Sequence, residues 1–176
     1  MSRSTLNIEH VRLIVDKRFD AFTASFDQQL GHFDQDVYRE LERGDTEKAR
    51  AMLKSMVGPS GFVLFRKSNH GLYLRIKGKR RKAIQYLIGN PLFAIEMTEH
   101  AIGAALYAPL RILLYEIDGG RTFVEYDVPS SLFGQFDDEQ VDRVAKSLDQ
   151  KLDALIAVAA LNRSHREEPV LLEASS

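Results

Sequence analysis

The stretch that decides the fold is 110-LRILLYEIDGGRTFVEYDV-128. Leu110 to Ile117 and Thr122 to Val128 are two apolar-rich runs. Between them, Asp118-Gly119-Gly120-Arg121 supplies residues that tolerate the positive φ of a tight hairpin turn. Immediately downstream the periodicity changes. From Asp138 to Ala160, residues Val141, Val144, Leu148, Leu152, Leu155 and Ala159 fall on one helical face. Asp137 with Gln140 reads as a capping box, with Phe136 and Val141 as its hydrophobic staple. Such a helix is about 35 Å long at the standard rise, enough to lie across a small sheet. A sheet with one apolar face and a helix with one apolar stripe bury each other as two layers.

Upstream, Ile8 to Lys17 predicts a strand with Val11, Leu13 and Val15 on one face. Phe19 to Leu30 predicts a helix through Phe19, Phe22, Phe26 and Leu30, stopped by Gly31. A short helix is expected over Asp34–Arg43. A third, capped by Asp45, carries Ala49, Met52, Leu53 and Met56 and ends at Gly58-Pro59. Phe62 to Phe65 is a continuous apolar run, as in a strand covered on both faces. After the turn signal Ser68-Asn69-His70-Gly71, residues Leu72, Leu74 and Ile76 alternate with Tyr73, Arg75 and Lys77, which predicts another strand. Arg81 to Ile88 predicts a further one. Gly89-Asn90-Pro91 then opens a helix bearing Phe93, Met97 and His100, with Asn90 as cap and Pro91 at the first helical position. The expected class is α+β: a mostly antiparallel sheet with helices packed on one face, two layers, and a long C-terminal helix. Residues 1–160 are expected to form a single domain and 161–176 a flexible tail.

Composition agrees with a folded domain. The chain has 176 residues, 44% hydrophobic and 28% charged, enough for one core and too short for two ordinary ones. It contains no cysteine, which excludes disulfides, thiol catalysis, iron–sulfur clusters and Cys-ligated zinc. The opening MSRSTLNIEH lacks the apolar core of a signal peptide, and the least polar stretch, Ala101 to Leu110, is ended by Arg111. A membrane span needs about 20 apolar residues, so the expectation is a cytoplasmic protein with no membrane partner.

Net charge is -1, but it is unevenly laid out. Residues 48–95 hold eleven lysines and arginines and no acid, while the flanks carry all 25 acids against 13 bases. The densest part is the basic patch Lys77, Lys79, Arg80, Arg81 and Lys82. Basic clusters with nearby aromatics attract phosphates and single strands. Phe62 to Phe65 matches only the end of the RNA-recognition octamer, and Ser60 stands where its stacking aromatic falls, so nucleic acid is not the expected partner. Opposite charges on central and flanking segments instead point to self-association, with a homodimer expected.

QYLIGNPLFA, LYAPLRILLYE and DGGRTFVEYDVPSS, followed by the long helix, resemble the domain-of-unknown-function family 302 over Lys82 to Ala160. FDQDVYRELERGD and LKSMVGPSGFVLF resemble the N-terminal part of a longer bacterial subgroup. The resemblance implies a small α+β domain of bacterial cytoplasm and no established reaction. Many members resemble this pattern with cysteines where this chain has Gly89 and Leu110, so no thiol role transfers.

The candidate ligand-binding residues by type are His100, Tyr107, Arg111, Glu116, Glu125, Tyr126 and Asp127. Arg111 on an apolar strand calls for a carboxylate partner. Glu116 and Glu125 are expected to approach across the hairpin, and His100 offers an acid–base group near neutrality. The five histidines are scattered without HExxH, so no metal site is expected. GxSxG, GxGxxG and P-loop motifs are absent. Haem is not excluded, since His and Tyr serve as axial ligands, but no residue selects a cofactor. The leading expectation is a small ligand-binding or interaction domain without a catalytic signature. The alternatives are an enzyme with a pocket near His100 and Arg111, or a weak binder of nucleic acid or an acidic partner through segment 66–82.

Overall fold

In the computed structural model, which describes residues 3–117 and 120–161, the diagnostic hairpin forms as β5 (Leu110–Glu116) and β6 (Arg121–Asp127). Turn positions 118–119, and all of the expected tail except Leu161, lie outside the described residues. The other strands are β1 (His10–Arg18), β2 (Gly31–His32), β3 (Val63–Asn69) and β4 (Ala83–Gly89). They make one six-stranded sheet in the order β1-β6-β5-β4-β3-β2, antiparallel except for the short β2–β3 pair. The helices are α1 (Phe19–Asp27), α2 (Asp36–Glu42), α3 (Thr46–Ser55), α4 (His70–Tyr73), α5 (Pro91–His100), α6 (Pro129–Phe133) and α7 (Glu139–Ala160). The fold is α+β, with a long C-terminal helix, as expected.

Strand alternation assigns the faces. Val11, Tyr126, Ile112 and Tyr86 lie in one cross-strand row, and Leu13, Val124, Leu114 and Ile84 in another on the same side. These residues join Phe19, Phe22 and Phe26 of α1, Met97 of α5 and the stripe Val141, Val144, Leu148, Leu152, Leu155 and Ala159 of α7 in the main core. The intervening rows face the other way. Burial, reinforced by the charge of Asp27, pushes the Tyr86 phenol well above its ordinary range. A smaller cluster, Val37, Ala49, Leu53, Met56 and Val63, binds α2 and α3 to the β3 edge.

Three local expectations are corrected. The segment Leu72–Lys77 is not a strand: α4 passes into a 3-10 turn over Leu74–Lys77. Asn69 Oδ1 accepts from Leu72 N at 3.0 Å, which starts a helical turn, and Gly78 at φ 69° ends it. The apolar alternation there has no sheet face to bury. At α7 the cap is Asp138, not Asp137; its carboxylate accepts from Gln140 N and Val141 N at 2.9 and 3.0 Å. Asp137 instead adopts φ 51°, and Phe136 packs edge-on against Tyr107. Helix α1 stops at Asp27, three residues before Leu30.

Candidate functional site

The end of β4 opens the site. Asn90 Oδ1 accepts from Leu92 N at 2.9 Å while its Nδ2 donates to Gly61 O at 3.0 Å, so one side chain both caps α5 and ties it to the segment before β3. Pro91 starts α5 with φ already set for a helix. Beside this turn runs the segment from Ala105 to Leu110 that leads into β5. Ile88 pairs with Leu110, and a Cβ built on Gly89 would lie 3.5 Å from both Phe65 and Pro109. Facing both is the α2–α3 pair. It is fastened by a glycine crossing: Gly31 N and Gly58 N both donate to Phe62 O at 3.0 Å. A Cβ on either glycine would run into the other strand's backbone.

These elements enclose a cavity of about 400 Å³, within the range of small-molecule sites. It is lined by Phe33, Val37 and Leu53 from the α2–α3 side, by Phe65 of β3, and by Phe93, Ala94 and Met97 of α5. Ala105, Ala108, Pro109, Leu110, Phe133 and Leu148 complete the lining. The exposed side chains Tyr38, Leu41 and Ile95 stand at the mouth. No Asp, Glu, His, Lys or Arg among the described residues lines it. Its two polar side chains besides Tyr38 are already engaged, Asn90 as above and Thr98 Oγ1 by donating to Ala94 O at 2.7 Å.

None of the residues singled out by type lines this cavity; Glu116 and Glu125 share a separate groove with Arg81 and Lys82, and the others lie apart from it. His100 ends α5 and faces the cap Asp138 at 3.7 Å. Tyr107 donates to Gln135 Oε1 at 3.3 Å. Glu116 pairs across the hairpin with Thr122 and Glu125 with Leu113, so the two alternate along the strands, yet both line one shallow groove with Arg12, Tyr115 and Lys82. Glu116 meets Lys82 at 3.2 Å. Tyr126 is buried on the core face and donates to Asp153 Oδ1 at 3.1 Å. Asp127 accepts from His10 at 2.9 Å, and Arg111 is exposed on the face opposite the core.

Glu125 does centre a cluster on that opposite face, with Arg12, Tyr115 and His10. Burial pushes its carboxyl up, but hydrogen bonds from Tyr115 and Arg12 outweigh this and hold it below the usual carboxylate range. Of the basic patch, Lys77, Lys79, Arg80 and Arg81 are exposed, whereas Lys82 Nζ is tied to Asp20 at 2.7 Å and to Glu116. Among the described residues no group of three or more His, Asp or Glu is placed to hold a metal ion, and no helix is long and apolar enough to cross a membrane.

The cavity residues escaped selection by type because they are ordinary core residues. The one signal for them was that Gly89 and Leu110, far apart in sequence, were marked by the same family pattern; here they line one space.

Fold and cavity together define a two-layer α+β domain with an apolar recess at one end of its sheet. Residues 37–159 match the family described as "Domain of unknown function DUF302", and the chain belongs to that family. Among solved structures it is similar to the uncharacterized conserved DUF302 protein from Bacillus stearothermophilus. The TM-score is 0.61 at 15% identity, over 85% of this chain and 97% of that one. That likeness establishes the fold alone. No curated protein matches the chain.

Proposed function

We propose that this protein is a cytoplasmic binding domain for a small, mainly apolar molecule held in the cavity beside Asn90, and that it works as a homodimer. The observation that carries this reading is the lining: apolar walls, no charged side chain among the described residues, and the polar side chains of Asn90 and Thr98 already engaged, with the exposed Tyr38 besides. A molecule entering such a space gains by leaving water and meets no group placed to bond a charged substituent. A binding role is favoured over a catalytic one by a lining in which, among the described residues, there is no Asp, Glu, His, Lys or Arg.

Native mass spectrometry of the protein purified from its own host, with an environment-sensitive apolar dye titrated into stripped protein, tests this. A retained mass or saturable dye binding, abolished by Ala94→Trp with the fold intact by circular dichroism, is expected. Absence of both, or dye binding that Ala94→Trp leaves unchanged, overturns it.

A further inference from the structure

Among the described residues, the sheet has a face that the helices leave bare. Alternation places Ile14, Phe123, Tyr115 and Ala83 in one cross-strand row there. Arg12, Glu125, Leu113 and Gln85 form the next row, and His10, Asp127, Leu87 and Arg66, with Arg111 beside Leu87, lie in the third. None of Ile14, Leu87, Leu113, Tyr115 or Phe123 belongs to either core cluster. Antiparallel sheets with one wet face normally carry polar residues on it. This one carries an apolar row across four strands, and beside it Leu74 of the arm 70–82 shares with Leu113 and Tyr115 a groove whose rim is charged, with Arg12, Lys82 and Glu125 among its lining. Farther out on that arm Ile76 is 83% exposed.

We propose that this bare face, with the arm, is the interface of a two-fold homodimer. The inference concerns the self-association in the reading above and is independent of the cavity. Two arguments favour a second copy as the occupant. The first is self-complementarity. A dyad running along the strands between β5 and β6 lays the apolar row of one protomer on that of its partner. It also lays Asp127, one strand from Arg111, over the partner's Arg111, and does so twice. The second is extent. Four strands of seven residues give a footprint of roughly 450 Å², short of the ~800 Å² per partner of a stable interface. Leu74 of the arm borders this face, and the arm's exposed Ile76 is the apolar surface that can make up the difference.

Sedimentation of the full chain at 1–100 µM tests the inference. We expect a dimer, at least tenfold weakened by Ile14→Arg and by Ile76→Asp, with unchanged circular dichroism. Asp127→Arg and Arg111→Asp each weaken the homodimer, and mixing the two restores association, because the mixed dimer regains both charge pairs. Because the chain has no cysteine, Phe123→Cys gives a single thiol at the interface centre. A bis-maleimide spanning about 10 Å, the spacing of packed sheets, should then cross-link two copies, and this reads out the face even if a charged variant unfolds. A wild-type monomer at 100 µM overturns both self-association and this interface. A dimer untouched by both Ile variants, with no cross-link at position 123, overturns the interface alone. Dye binding in the cavity reports separately on the ligand reading.

Discussion

Leu148 and Leu152 sit one turn apart on the same stripe of α7, yet truncating them should not cost the same. Leu152 is wholly enclosed, with no exposed surface, whereas Leu148 lines the cavity. Leu→Ala in a core costs the lost transfer energy plus a term for the void, about 2.7–5 kcal/mol in a well-packed site. For Leu152→Ala the whole void is new, which puts the loss at about 4 kcal/mol. Leu148 already borders empty space, so fewer dispersion contacts vanish and the new void merges with an old one; about 2–3 kcal/mol follows. In a chain of this length each kcal/mol moves the melting temperature by about 2–4 °C. Thermal and urea melts followed by far-UV circular dichroism should therefore show drops of about 8–16 °C for Leu152→Ala and clearly less for Leu148→Ala. The same Leu148→Ala variant should accept a bulkier dye than wild type. Equal losses, or a larger loss at Leu148, would refute the cavity behind it. Unchanged melting in both would show that α7 is not part of the core.

Three further outcomes follow from the electrostatics and caps. The Glu125 carboxyl is held low in the folded state, so its contribution is full above the unfolded value near 4.3 and fades as pH falls through the folded one. Urea melts should show wild type ahead of Glu125→Gln at pH 7 and the gap shrinking by pH 3; a gap that widens on acidification contradicts the assignment. Asp138→Ala removes the cap of α7 and should cost about 1 kcal/mol, while Asp138→Asn should keep most of it; no loss on Asp138→Ala would return the cap to the capping-box position. Fluorescence anisotropy with single- and double-stranded oligonucleotides should show no saturable binding near physiological salt. If binding appears, falls with salt and is reduced by Arg80→Ala with Arg81→Ala, the basic arm is a phosphate-binding surface after all.

The hairpin, α7, the Asn90 cap and the Pro91 start were legible because each rests on local chemistry: alternation, helical spacing, a side chain beside free N–H groups. The misreading at Leu72–Lys77 has a physical cause. Alternation signals a strand only if one side is buried on the sheet, and these residues lie in an exposed arm where Asn69 settles the local conformation first. The displaced cap at α7 is a shift between two adjacent aspartates that both suit the role. The candidate site was harder to see. Polar side chains stand out in a sequence one by one, whereas register decides which of them meet: it sends Tyr126 into the core and leaves Arg111 exposed on the far face. The cavity is made by the gaps between apolar side chains of seven separate segments, and spacing in a sequence does not encode a gap.

The crossing of Gly31 and Gly58 has a consequence for how this domain can change. At that point the α2–α3 wall meets the rest of the molecule backbone to backbone, with Phe62 O receiving both amides. The width of the recess is thus set by two residues that carry no side chain. On the α5 side, Phe93 and Ala94 shape the recess and take no part in that joint or in the Val37–Leu53 cluster that holds α2 and α3. There, frame and lining are separable. Substitutions on that side can reshape the recess for a different guest while the wall stays where it is, and a single methyl group at either glycine shifts the wall whatever the lining.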